Sequence, residues 1–273
     1  MKIQLMRQLL SNYLHHHYHL SLSTCLLTAV TYLCAGNSID WKYAVWTGLV
    51  TFLVYNYHSV LYTNIKDVNN FLKANVSFFC LILISGIVGL ILLPKGLYPL
   101  VSFIISLIIC LLYFRADIVN LKPGRDHFFF KPLMIGLVFG ILTALIPYLQ
   151  SGYSIYESLQ LTLGRVAFVM VLAIIFDIGQ ASEDKLSKEP TMPQKIGIFR
   201  TKIIATLLLS MAALSEGYGA WIFLIEFPLF MVFVITWIFT FLLILFAGPN
   251  KPSWYYFFLV DGLMLLPWLL TQI

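Results

Sequence analysis

Val166-Ala167-Phe168-Val169-Met170-Val171-Leu172-Ala173-Ile174-Ile175-Phe176 is an unbroken apolar run, and Asp177-Ile178-Gly179-Gln180-Ala181-Ser182-Glu183-Asp184-Lys185 follows it directly. The run is apolar all round, as a helix in hydrocarbon must be, and the acids begin where it ends. A carboxylate is costly to hold near hydrocarbon, so acids at a membrane edge usually have a task. Asp177 and Asp184 are seven residues apart, two helical turns, and share one helix face. Two carboxylates facing the same way at a membrane surface can hold a divalent cation, which can in turn hold a phosphate. A solvated helix end explains the same acids equally well.

Working outward, the pattern repeats along the chain. The sequence is 60% hydrophobic and 11% charged over 273 residues, outside the range of water-soluble domains. Nine apolar segments lie near the ~20 residues that a spanning helix needs. They are Leu20–Ala35, Trp41–Tyr62, Asn75–Leu93, Tyr98–Phe114, Pro132–Leu149, Tyr156–Phe176, Lys202–Leu214, Ala220–Phe246 and Trp254–Leu270. None alternates with period two, which argues against a barrel. The expectation is one all-α, polytopic membrane domain over residues 1–273.

Basic residues set the expected orientation. With the N-terminus inside, the inner segments carry Lys2, Arg7, Lys66, Lys73, Arg115, Lys122, Arg125, Lys131, Lys185, Lys188, Lys195, Arg200, Lys202 and Lys251; the outer ones carry Lys42 and Lys95. That excess predicts a multi-pass protein of the cytoplasmic (inner) membrane, N-terminus cytosolic and C-terminus outside. The net charge of +5 is this inside bias and calls for no nucleic acid; it also suits anionic lipid headgroups. Met1–Leu20 lacks the small-x-small site of a cleavable signal. Cys25, Cys34, Cys80 and Cys110 all fall in apolar helices without a CxxC pair, and read as small apolar residues.

The predicted outer connections, Gly36–Asp40, Pro94–Leu97, Ser151–Ile155 and Ser215–Gly219, are short and turn-like. The longer inner ones, Thr63–Ala74, Arg115–Lys131 and Gln180–Arg200, concentrate length and charge on one side, where a site is expected to open.

Asp177-x-x-Gln180-x-x-x-Asp184, then Lys185-Leu186-Ser187-Lys188 and Thr191-Met192-Pro193-Gln194-x-x-Gly197, resembles the second aspartate-rich motif and following turn of the UbiA superfamily of intramembrane prenyltransferases, in particular its Bacteroidetes members. Helix count and loop placement resemble that family over nearly the whole chain; the motif covers about twenty residues. The resemblance implies nine helices around a central cavity, and transfer of an isoprenyl group from a prenyl diphosphate to an acceptor. It implies Asp177, Asp184 and Asn56 as catalytic residues, with Asp177, Asp184 and Asp67 as ligands of Mg2+. Asn64 and Gln180, at motif positions, are the implied substrate-binding residues; Arg115, Lys122 and Arg125 offer positive charge to the same substrate, although the inside bias explains them more simply, and Arg165 is a further substrate-binding candidate whose favoured role is a structural ion pair.

The chain also departs from the family's pattern. The first motif keeps Asn56, but its acid positions fall on Val60 and Asn64; in the second, Gln180 stands where an acid is expected and Gly179 where a basic residue is common. Catalysis of diphosphate departure depends on stabilising charge on the leaving group, and a valine supplies no ligand for that. The alternative is therefore a non-catalytic subunit of the same fold that binds lipid or organises a membrane complex with a protein partner. A transporter is a third and weaker reading. Arg165 and Glu226 fall at mid-membrane depth and Asp261 nearer the inner side, so Arg165 is expected to pair with Glu226, Asp261 or a polar ligand. The His15-His16-His17-Tyr18-His19 run points its rings to different helix faces and reads as interfacial, with metal the lesser reading.

Overall fold

The computed structural model describes residues 17–62, 76–92, 96–97, 100–101, 103–106, 108, 128–187, 191–252 and 254–273. All regular structure among them is helical. In chain order it comprises α1 (Tyr18–Cys34), α2 (Trp41–Tyr62), α3 (Val76–Ile91), α4 (Phe130–Gly140), α5 (Ile146–Gln150), α6 (Ile155–Ser187), α7 (Met192–Ile196), α8 (Ile198–Trp221), α9 (Phe227–Phe246) and α10 (Leu266–Leu270). A π-helical segment, Ile141–Leu145, joins α4 to α5, and another, Tyr255–Val260, precedes α10. Among the described residues, four helical stretches are long and apolar enough to cross a membrane: Phe130–Gln150, Ile155–Ser182, Ile198–Trp221 and Phe227–Phe246. The chain is therefore described as an integral membrane protein. Most of the predicted segment Tyr98–Phe114 and the inner loops Thr63–Ala74 and Arg115–Lys131 lie outside the described residues.

Helix α6 is the central post, with 83% of its membrane-length window buried against 28% for α8. It packs against α4 on one side and α8 on the other, both through small residues. A Cβ on Gly136 would come within 2.9 Å of the Val166 carbonyl, and one on Gly140 within 2.4 Å of Val166 Cγ2. Gly136 and Gly140 thus form a GxxxG seam that lets the α4 and α6 backbones approach. In lipid, where no hydrophobic force drives helices together, such close packing is a main source of association.

The π segment shows how the sequence meets the rule that backbone polar groups buried from water need partners. Ile146 N–H bonds back to the Ile141 carbonyl, five residues away, which frees the Leu142 carbonyl. Pro147 has no N–H to give the carbonyl of Thr143. Tyr43 Oη donates to Leu142 at 2.9 Å and Thr31 Oγ1 donates to Thr143 at 2.7 Å. Both orphan acceptors are satisfied by α1 and α2, which tie this bend to the rest of the bundle.

Three expected boundaries move. The acid-rich stretch after Phe176 continues the helix to Ser187 rather than beginning a loop. Ser215–Gly219, expected as an outer turn, is helix, and the turn lies at Ile222–Glu226, where Phe223 has φ 60°. Glycine and serine there serve close approach: a Cβ on Gly219 would meet Leu161 at 2.6 Å, and one on Gly164 would meet Ser215 Oγ at 3.0 Å. The expected helix Trp254–Leu270 is broken, because Pro267 lacks the N–H that would bond the Leu263 carbonyl and α10 starts afresh beside it.

One end of the bundle is laced shut. Tyr32 Oη bonds the Gln150 side chain, Asn37 Nδ2 donates to the Ser151 carbonyl at 3.2 Å, and Tyr153 Oη donates to the Leu224 carbonyl at 2.8 Å. The other end, where α1 and α4 begin and α2 stops, opens into a cavity.

Candidate functional site: a polar-mouthed cavity inside the bundle

The cavity has a volume of about 310 Å3 and five walls. Val169, Leu172, Ala173, Phe176, Asp177 and Gln180 form one stripe of α6, at the 3–4 spacing of a single helix face. Lys131, Ile135 and Phe139 come from α4, Tyr55 from α2, His17 and Leu20 from the start of α1, and Phe257, Asp261 and Met264 from the broken C-terminal segment. The apolar residues dominate the lining and the polar ones are few, the composition of a site for a largely apolar molecule with a polar head. Beyond Tyr55 and Phe139, whose rings meet edge-on at 6.4 Å, lies a second, apolar cavity of about 70 Å3 that both residues also line.

Asp177 is 1% exposed, and its Oδ1 accepts from Lys131 Nζ at 2.8 Å. The lysine is a third exposed and reaches the cavity from the first turn of α4. A charge-assisted hydrogen bond of this length is among the strong ones, and the low-dielectric surroundings strengthen it. Gln180, one turn further along α6, also lines the cavity. Gly179 faces elsewhere: a Cβ there would come within 2.5 Å of the Tyr256 ring, so no basic side chain fits at that position. Packing against the C-terminal segment accounts for that departure from the family's motif.

The turn after the motif has a local physical reading too. Pro193 sits in the first turn of the short helix α7, where its missing N–H costs nothing. Gln194 Nε2 donates to the Ala181 carbonyl, pinning the turn back onto α6, and Gly197 takes φ 83°, a conformation that favours glycine.

The remaining expected residues divide. Asn56 is buried and turns its amide back to the Phe52 carbonyl at 2.8 Å; its neighbour Tyr55 lines the cavity. Asp184 lies on α6, but its side chain is outside the described ones, and Asn64, Asp67, Arg115, Lys122 and Arg125 lie outside the described residues altogether.

Arg165 is not among the cavity's lining residues. It is 2% exposed and donates to the Leu27 carbonyl at 3.4 Å. No salt bridge joins it to Glu226 or Asp261; the buried acid whose charge acts with it is Glu216, 4% exposed on α8, although the two form no salt bridge either, and a Cβ on Gly164 would be 3.3 Å from Glu216 Cγ. Glu226 stands exposed at the start of α9, and Asp261 lines the cavity instead. Because α8 runs seven residues past its expected end, Glu216 lies in the helix and not in the turn.

Magnesium binds oxygen ligands, commonly one or two carboxylates plus substrate phosphates. Among the described side chains the motif contributes one carboxylate, Asp177, and a lysine ammonium already holds it. No group of three His, Cys, Asp or Glu able to hold a metal occurs among the described residues. The described side chains do not fit a magnesium site. The histidine run divides as its spacing predicts: His17 lines the cavity, while His19 packs on the Phe258 ring at 5.1 Å with Nε2 3.1 Å from the Phe258 carbonyl.

Sequence reading missed Lys131, Tyr55 and His17 as cavity residues. Lys131 was legible only as one more inside charge; the signal for its role is the i, i+3, i+4 stripe on α6, which meets it only in three dimensions. Compared with family models, with curated proteins and with solved structures, the chain matches none.

Proposed function

We propose that the chain is a UbiA-like prenyltransferase of nine transmembrane helices, set in the inner membrane with its N-terminus cytosolic, whose cavity takes a prenyl diphosphate. The carrying observation is the distribution of polarity around the cavity: the Lys131–Asp177 pair with Gln180 close by on the same helix stripe, a few other polar side chains, and apolar side chains over most of the lining. Lys131 presents its charge to the diphosphate, Gln180 supplies a further polar contact, and the isoprenyl chain lies along Val169, Leu172 and Phe139 toward the smaller cavity. In the transfer step the carbon–oxygen bond to the diphosphate breaks with its electron pair leaving on the diphosphate, the acceptor's nucleophilic atom bonds the isoprenyl carbon, and the proton that atom loses passes to the departing diphosphate or to water.

A second reading, a non-catalytic lipid-binding or complex-organising member of that fold, is favoured by a specific observation. The one motif acid whose side chain is described is committed to a lysine, and the first motif has Val60 and Asn64 in place of acids. Equilibrium binding of a geranylgeranyl diphosphate analogue to the purified protein in detergent, with and without magnesium, tests both. Binding that falls about tenfold in Lys131→Ala, the loss expected for a charge-assisted bond, supports the site. Product formation from a labelled prenyl diphosphate and a membrane extract of acceptors then supports the enzyme, and binding without product supports the second reading. Failure of the analogue to bind under either condition sinks the prenyl diphosphate site.

A further inference from the structure

Asp261 is the polar group of the cavity that the proposed chemistry leaves unused. It sits in the interrupted C-terminal segment, between the π-helical Tyr255–Val260 and α10, and its side chain is 7% exposed. It lines the cavity from the C-terminal segment, with Phe257 and Met264. Among the described residues no hydrogen-bond donor or cation reaches its carboxyl group, in contrast to Asp177, which Lys131 holds at 2.8 Å. Its nearest polar neighbour along the chain's packing, His19 beside Gly262, gives its ring nitrogen to the Phe258 carbonyl.

A carboxyl group taken this far from water and left without a donor is unfavourable, and native structures rarely tolerate one without a use. The broken helix is part of the same design. Irregular backbone at membrane depth is accepted where it lines a cavity, and the break brings Asp261 and Met264 onto one wall. The cavity thus has two separate polar poles, one already neutralised internally and one that lacks only a donor.

We propose that Asp261 is the binding residue for a hydrogen-bond-donating group, a hydroxyl or an ammonium, carried by an apolar ligand in this cavity. On the prenyl-transfer reading this donor belongs to the acceptor substrate; the proposal rests on that reading for this assignment only, since donor recognition needs no diphosphate. A ligand that fills the cavity without such a group leaves the carboxyl unsatisfied, so the site discriminates by the donor itself. A site built to bond a hydroxyl rejects the analogue lacking it for this reason.

The test uses the full chain in detergent and two probes that differ in one substituent, the hydroxyl hydrogen of geranylgeraniol being replaced by methyl in its methyl ether, with geranylgeranylamine as the cationic arm. Competition against tritiated geranylgeraniol reads the affinities. The alcohol is expected to bind about tenfold more tightly than the ether, the worth of one hydrogen bond to a buried carboxyl oxygen. In Asp261→Ala that ratio should fall to about one, and in Asp261→Asn, which keeps an acceptor oxygen, it should survive in part for the alcohol and drop for the amine. A structural role for Asp261 would weaken alcohol and ether alike and leave the ratio unchanged. An unchanged ratio in Asp261→Ala, or a wild type that binds neither probe or does not separate them, overturns the proposal. The alcohol and the ether carry no diphosphate and the diphosphate analogue is measured separately, so failure here is distinguishable from failure of the prenyl diphosphate site.

Discussion

At the scale of the residue, Arg165 and Glu216 show how a membrane interior treats charge. The arginine is 2% exposed and has a backbone carbonyl at 3.4 Å; the glutamate is 4% exposed, and its Oε2 has no hydrogen-bond partner among the described residues. Their charges act on each other and on the neighbouring Cys34 and Tyr148. Removing one charge strands the other in a low-dielectric site, whereas removing both does not. Glu216→Leu alone and Arg165→Met alone are each expected to destabilise the protein by about 2–4 kcal/mol, and the double substitution by less than the larger single one. Thermal denaturation in detergent followed by size-exclusion recovery checks this, and strict additivity would show that the two charges do not interact. That Arg165 faces inward was legible from its place in an apolar run. Its partner was not, since Glu216 sits among Ser215, Gly217 and Gly219, which read as a turn in isolation and serve helix contact in the bundle.

Elements, rather than residues, carry the close packing that shapes the cavity. The seam of Gly136 and Gly140 sets how near α4 comes to α6, and therefore whether Lys131 at the start of α4 reaches Asp177. Gly136→Ala places a methyl group 2.9 Å from the Val166 carbonyl, a backbone atom that cannot rotate away. The helices must part, at an expected cost of about 1–3 kcal/mol. Because Lys131 is carried on the same helix, the substitution should also weaken binding of the diphosphate analogue, which Gly86→Ala, with open space around its Cβ, should leave unchanged. Equal effects of the two alanines would argue that the seam has no special role. In sequence, Gly136-Leu137-Val138-Phe139-Gly140 is only a spacing; what it packs against comes from 22 to 34 residues away.

The molecule as a whole has two unlike ends. At one, tyrosine and asparagine side chains lace the connections between α1 and α2, α5 and α6, and α8 and α9; at the other, the cavity opens between the start of α4 and the far part of α6. In the proposed orientation, drawn from the inside bias of Lys and Arg, the cavity end faces the cytosol. Ser38 and Ser182 are both exposed and lie at opposite ends. Ser38→Cys should react with a membrane-impermeant maleimide in intact cells, and Ser182→Cys only after permeabilisation. The reverse pattern would invert the orientation.

The sequence by itself determined the class of protein, all-helical and apolar enough to span a membrane, because a spanning helix must be apolar along its length and that requirement is local. It also singled out Asp177 and Gln180, which share a stripe by their spacing alone. It did not determine which charges meet. Lys131 with Asp177, Arg165 with Glu216 and the placement of Asp261 on a cavity wall each join residues 46 or more positions apart or hang on a helix break. Those meetings depend on how closely glycine seams let helices approach and where prolines interrupt them. Only the packed bundle decides such contacts, because their energy comes from desolvation and close packing between elements and not from the propensity of any one segment.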